Sequence, residues 1–162
     1  MRLLAVVLAM SVPFALSPPA AAQTAGAPSS PAAQCASADE LPPADLFGLW
    51  QLSLWPEGGQ EAEPVSTGAV MFGPHPEYAG SVRGRLRRSG PGADLEAEVS
   101  GDVTDGEFSL DESGDGRSMD AVWTGQPSDC GRTIRGLRRP AEGRPPGDPV
   151  LQFLLRRSAV RR

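Results

Sequence analysis

The sequence predicts an all-β fold: about eight short antiparallel strands in up-and-down order, closed into a small barrel, with a flattened clam or sandwich as the alternative closure. Three observations carry this. From about residue 45 onward, apolar residues recur at every second position, the period of a half-buried strand. Clusters of Gly, Asp and Pro interrupt that pattern at the spacing of hairpin turns. The parity of the apolar positions also persists across three successive hairpins, so neighbouring strands turn their apolar faces to the same side. With 19 Gly and 17 Pro in 162 residues, no segment suits a long helix, which excludes bundles and coiled coils. Closure is the usual way to remove unpaired edges from such a sheet.

The chain starts with a pattern of a different kind. Arg2 precedes an apolar run from Leu3 to Leu16, and Ala20-Ala21-Ala22 follows as a small-residue cleavage site. This reads as a secretory signal peptide over residues 1–22. The run is shorter than the ~20 residues a spanning helix needs, and it contains Pro13. The mature chain is thus expected in the periplasm or outside the cell, without a membrane span. Residues 23–43, rich in Ala, Pro and Ser, read as a flexible leader. One domain covers 44–158, and 159–162 form a basic tail. Cys35 and Cys130 are the only cysteines. In an oxidising compartment such a pair is expected to form a disulfide, closing a loop of about 95 residues.

The first strand reads as Asp45 to Trp55, with Leu46, Gly48, Trp50, Leu52 and Leu54 on one face. A second runs near Thr67 to Gly73. The next hairpin can be read by mirror symmetry about Ser89-Gly90-Pro91-Gly92. Arg87 then faces Asp94, Arg85 faces Glu96 and Arg83 faces Glu98, while Val82, Gly84 and Leu86 face Val99, Ala97 and Leu95. One face is small or apolar and the other is an Arg–carboxylate ladder. Each facing opposite-charge pair contributes about 0.2–1 kcal/mol, so the ladder chiefly fixes register. Asp105-Gly106 is a two-residue hairpin signal, placing Val103 opposite Phe108 and Gly101 opposite Leu110. A turn near Gly114-Asp115 sets Leu110 against Met119 and Phe108 against Ala121, with Trp123 continuing the face. After a turn at Gln126 to Gly131 comes a strand over Arg132 to Arg139, with Ile134 and Gly136 on one side. A Pro-rich loop, Pro140 to Pro149, leads to the last strand, Val150 to Arg157.

Two of these strands carry a pairing that resembles the calycins, meaning lipocalins and their small relatives. Gly48-Leu49-Trp50 resembles the Gly-x-Trp of that group's first strand. Arg157, which shares a face with Leu151, Phe153 and Leu155, stands where the group keeps an Arg across that Trp on the last strand. The resemblance implies a structural cation–π contact that closes one barrel end, not a catalytic one. The stretch His75-Pro76-Glu77-Tyr78-Ala79-Gly80-Ser81-Val82-Arg83-Gly84 also resembles uncharacterised secreted proteins of proteobacteria. Roughly 110 ordered residues is short for a lipocalin and nearer to avidin-like barrels or small bacterial inhibitors of secreted metalloproteases. The Cys spacing departs from that of those inhibitors.

No residue pattern demands catalysis, a cofactor or a metal. All fifteen cationic side chains are Arg, against twenty carboxylates, for a net charge of −5. This argues against a phosphate-backbone binder and so against nucleic acid as a partner. His75, the only histidine, lies near Glu77 and Tyr78, a trio that could serve acid–base chemistry but is read first as a rigid turn. A lone His excludes multi-histidine zinc sites. Asp111-Glu112-Ser113-Gly114-Asp115-Gly116 resembles half of a calcium loop, yet Val122 stands where the bidentate Glu belongs. The Arg-rich stretches 83–88, 132–139 and 156–162 raise a subsidiary reading, an anionic ligand near the barrel mouth.

The interior is therefore the expected binding site, lined by Trp50, Phe72, Phe108, Met119, Trp123 and Phe153. A barrel of this strand number can hold one small ligand, although a filled core is favoured. The expected function is that of a non-enzymatic binder of a small apolar ligand or an extracytoplasmic protein. The alternatives are inhibition of a secreted protease by the leader, and then an enzyme using His75, Glu77 and Tyr78.

Overall fold

The computed structural model describes Cys35, residues 41–143 and residues 148–159. The expected signal peptide, most of the leader and the end of the basic tail lie outside these residues. The strands are β1 (Gly48–Pro56), β2 (Ser66–Pro74), β3 (Val82–Arg88), β4 (Leu95–Thr104), β5 (Glu107–Ser113), β6 (Ala121–Ser128), β7 (Thr133–Pro140) and β8 (Leu151–Arg157). Each pairs antiparallel with its successor, and β8 returns to β1, so the sheet is a closed up-and-down barrel. This architecture is consistent with a calycin-like barrel. Among the described residues no helix is long and apolar enough to cross a membrane.

The first strand begins later than its apolar pattern suggests. Pro43–Leu46 form a 3-10 turn with Pro at its start, a position where the fixed proline φ is already suitable. Gly48 then takes a φ of +115°, which redirects the chain into β1 and is open to glycine at little steric cost.

The β4–β5 hairpin matches its expected register, with Val103 opposite Phe108 and Gly101 opposite Leu110. Asp105 and Gly106 both have positive φ, 50° and 79°, as a type I′ turn requires.

Two other hairpins are offset by even numbers of residues. In β3–β4, Arg85 faces Glu98, Arg87 faces Glu96 and Leu86 faces Ala97, two residues from the mirror reading. The cause is Ser89, which stays with β2. Its N–H donates to the Thr67 carbonyl at 2.8 Å, and its hydroxyl accepts from the Thr67 N–H at 3.0 Å. Its carbonyl accepts from the Ser66 hydroxyl at 2.6 Å. The connection thereby lengthens to Ser89–Asp94. Two of the three expected ion pairs survive as diagonals, Arg83–Glu98 and Arg87–Asp94, whereas Arg85 has no ion pair among the described residues.

In β5–β6 the offset is four. Leu110 faces Trp123, Phe108 faces Gly125 and Glu112 faces Ala121. The connection Gly114–Asp120 is a built loop rather than a tight turn. Asp115 accepts from the N–H groups of Arg117 and Ser118 at 2.8 and 2.7 Å, and Asp120 accepts from the Gly114 N–H at 2.6 Å. Met119 falls in this loop and is 45% exposed, so it is not part of the interior lining.

Because both offsets are even, every strand still turns its apolar side inward. Trp50, Phe72, Phe108, Phe153 and Trp123 are buried and form a continuous chain of rings, with centroids 6.4, 6.4, 6.3 and 5.0 Å apart. Tilted and edge-on contacts of this kind add about 0.5–1.5 kcal/mol each beyond area burial. A smaller outer cluster was not apparent from the alternation. Trp55 and Leu154 point outward yet are buried. Arg135 lies 5.6 Å over the Trp55 ring. Glu61, on the β1–β2 connection, binds both Arg135 and Arg156, at 2.7 and 2.6 Å.

Candidate functional site

The barrel has two unlike ends. The end at the start of β1 is closed by the chain itself. Trp50 donates its indole N–H to the Leu46 carbonyl at 2.7 Å, drawing the fully buried Leu46 into the opening. The Arg157 guanidinium lies 6.0 Å over the Trp50 ring and donates to the carbonyls of Asp45 and Phe47, at 2.5 and 2.9 Å. The three residues expected to act structurally, Gly48, Trp50 and Arg157, are therefore brought together. Arg156, on the opposite parity, points outward to Glu61. Cys35 and Cys130 form a disulfide with Cα atoms 4.9 Å apart, and the buried Leu41 packs against the next residue, Gly131.

The other end carries charge inside the barrel, which sequence reasoning missed. Arg88, Glu112 and Arg138 have side chains only 11%, 6% and 6% exposed. Arg138 grips Glu112 with two bonds, Nε to Oε2 at 2.7 Å and Nη2 to Oε1 at 3.2 Å. The Trp123 indole N–H donates to the same Oε2 at 2.9 Å. Arg88 reaches Oε1 only at 3.5 Å, and its Nε is buried with no hydrogen-bond partner among the described residues. Burial alone would raise the Glu112 carboxyl. The hydrogen bonds and charge of Arg138, with Arg88 and Trp123, instead hold it below the usual carboxylate range. Burial lowers Arg88, while Glu112 opposes that shift. A signal for this trio was present: two steps along the inward face, Leu86 leads to Arg88, Leu110 to Glu112 and Gly136 to Arg138.

The other candidates resolve into turns. The His75 ring stacks on Tyr78 with centroids 4.7 Å apart, and its Nδ1 accepts from the backbone N–H of both Glu77 and Tyr78 at 3.1 Å. That nitrogen organises the β2–β3 loop, leaving Nε2 as the ring atom for any chemistry. Asp115 is lowered to about 2, first by the Ser118 N–H and then by that of Arg117. Its oxygens serve as a loop cap, and no cluster of three potential metal ligands occurs among the described residues. Nearby, burial and then the charge of Asp102 push Asp111 up.

Of the expected lining residues, Trp50, Phe72, Phe108, Trp123 and Phe153 fill the interior against one another. A concave, partly apolar surface lies instead on the outside of β1 to β4. Leu49 faces Met71, Met71 faces Arg85, and Arg85 faces Glu98. Together with Ala69, Arg87 and Glu96 they line a groove of about 450 Å³. Leu49 and Met71 are 43% and 51% exposed. Around the same wall, Glu61 holds the β1–β2 connection to Arg135 and Arg156. No known family model matches the chain, and no curated protein matches it significantly.

Proposed function

We propose that this protein is a non-enzymatic extracytoplasmic barrel that engages a protein partner through the outer groove of β1 to β4. The observation that carries this is the exposed Leu49–Met71 pair beside Arg85, which forms no ion pair among the described residues. The chain of rings through the core favours this surface over an apolar ligand held inside. The neighbouring acids are already engaged, Glu98 by Arg83 and Glu96 by Arg87. Among the described residues Arg85 is thus the groove's charge without an ion pair, and an apolar side chain followed by a carboxylate is the complementary partner feature. The apolar start with Ala20-Ala21-Ala22, together with the disulfide, supports a location beyond the cytoplasm. The Trp50–Arg157 contact supports kinship with the calycins, whose small barrels commonly serve binding. The non-enzymatic reading draws on His75, whose Nδ1 is engaged by backbone.

The test is site-specific photocrosslinking in the cell envelope of the native host. A photoreactive residue at position 71 should yield a discrete protein adduct, whereas one at the exposed Glu107, outside the groove lining, should not. Leu49→Asp and Arg85→Glu should each reduce the adduct at least tenfold while leaving the fold intact by circular dichroism. No adduct at position 71, or an equal one at position 107, would sink the idea.

A further inference from the structure

The outer wall carries a second concavity beyond the groove. Arg83 of β3, Ser100 of β4 and Asp111 of β5 stand abreast in register, on the parity that faces outward. The β5–β6 loop folds back over this wall, so that a Cβ added at Gly116 would lie 3.5 Å from Glu98 Oε2. Between that loop and the His75 turn lies a cleft of about 300 Å³, whose lining includes His75, Arg83, Ser100, Asp111, Arg117 and Met119. Both walls are held in place. Asp115 accepts from the N–H groups of Arg117 and Ser118. His75 Nδ1 accepts from two backbone N–H groups, which leaves the proton of the neutral imidazole on Nε2, as a donor. The cleft also holds charges of both signs. Arg83 is engaged by Glu98, but Asp111 and Arg117 form no ion pair among the described residues. Partial burial and then the charge of Asp102 push the Asp111 carboxyl up, the opposite of what an adjacent cation does.

We propose that this cleft binds a small zwitterion, a free α-amino acid with an apolar side chain. The ammonium group goes to Asp111, and the carboxylate to the Arg117 guanidinium and the His75 Nε2–H. The side chain lies against Met119, which is 45% exposed and whose flexible thioether adapts to different apolar shapes. A simple anion is repelled by Asp111 and a simple cation by Arg117, so a ligand bearing both charges is the one that neither repels. A metal ion fits poorly, because no cluster of three potential ligands occurs among the described residues. The volume lies at the lower end of the range for small-molecule sites, which suits one amino acid rather than a longer segment. Bonds between ionised groups are the stronger kind, and fixed walls reduce the ordering cost of binding. Failure of this site would leave the protein-partner proposal untouched, since Leu49 and Met71 lie outside its lining.

Titration of the isotope-labelled protein at neutral pH, followed through its backbone amide resonances, tests this with three probes of one shape. L-leucine carries both charges, L-leucinamide lacks the carboxylate, and 4-methylpentanoate lacks the ammonium group. L-leucine at up to millimolar concentration should shift the amides of Tyr78, Ser100, Asp111 and Ser118. Each of the other two should bind about tenfold more weakly, or worse, for want of one charge-assisted contact. Asp111→Asn should erase the advantage of L-leucine over 4-methylpentanoate, and Arg117→Gln its advantage over L-leucinamide. Both substitutions are at exposed positions, and the unperturbed remainder of each spectrum reports that the barrel is intact. No shift with L-leucine, equal binding of the three probes, or shifts centred on Leu49 and Met71 instead would each overturn the proposal. So would preferences that both variants keep.

Discussion

Glu112 carries more of the barrel's interior electrostatics than any other side chain. It accepts from Arg138, Trp123 and Arg88 at once, so neutralising it strands two cations. Breaking a buried ion pair from one side typically costs about 3–5 kcal/mol, whereas replacing all partners by apolar groups is often neutral. Glu112→Gln should therefore lower the unfolding free energy by about 3 kcal/mol or more. Arg88→Met, Glu112→Leu and Arg138→Met combined should recover most of that loss. Urea denaturation of the three proteins at neutral pH checks both statements, and a triple variant no more stable than Glu112→Gln would count against this account. The same contacts set a pH dependence. The folded-state pKa of Glu112 is depressed, so its contribution is fully present above the unfolded value of about 4.3. It is lost as pH falls through the lower folded value. The acid limb of the wild-type stability profile should flatten in the triple variant.

The barrel's strands depend on close approach as much as on alternation. At Gly136 a Cβ would collide with the Thr124 carbonyl oxygen and the Gly125 Cα across the β6–β7 ladder. That collision involves backbone, which cannot rotate away. Gly136→Ala should thus destabilise the barrel by about 2–4 kcal/mol, as strain in a packed interior does. Ala121→Gly, at a buried position on the same ladder, should cost about 1 kcal/mol. Thermal unfolding of the two variants separates the cases, and a Gly136→Ala protein as stable as wild type would show that the strands can separate. Element by element, strand number, order and inward face were legible because side-chain direction has period two, and even offsets of two and four leave it unchanged. Register in β3–β4 and β5–β6 was not legible. It depends on Ser89 bonding sideways to β2 and on Asp115 and Asp120 building a seven-residue loop, which symmetry about a Gly cluster cannot reveal. The Trp50–Arg157 pair was legible from motif and parity. The inward Arg88, Glu112 and Arg138 share that parity, but Arg88 directly follows Arg87 in the Arg run of β3, whose other members face outward in the ladder with β4. Met119 was misplaced for the register reason alone.

At the scale of the whole molecule, the barrel is fastened at the end of the chain as well as along it. Closure joins β1 to β8, so the first and last strands must meet before any edge is satisfied, a non-local pairing that makes such folds slow to form. Two devices bind the N-terminal segment to the end of the barrel where β1 begins. One is local: Arg157 holds the Asp45 and Phe47 carbonyls, and Trp50 holds that of Leu46. The other is the Cys35–Cys130 bond across 95 residues, which encloses β1 to β6 and constrains the unfolded chain. The chain-entropy argument for a loop of that length gives about 4–5 kcal/mol, with measured values often lower. Replacing both cysteines by Ser should accordingly lower the urea midpoint, corresponding to a loss of about 3–5 kcal/mol. The folded double variant should keep the wild-type far-ultraviolet spectrum and the near-ultraviolet signal of Trp50, because the Arg157 and Leu46 bonds hold the 3-10 turn without help from the disulfide. If the near-ultraviolet signal collapses along with stability, the disulfide rather than Arg157 positions that turn. If the midpoint does not move, the bond constrains a segment that contributes nothing to cooperative unfolding.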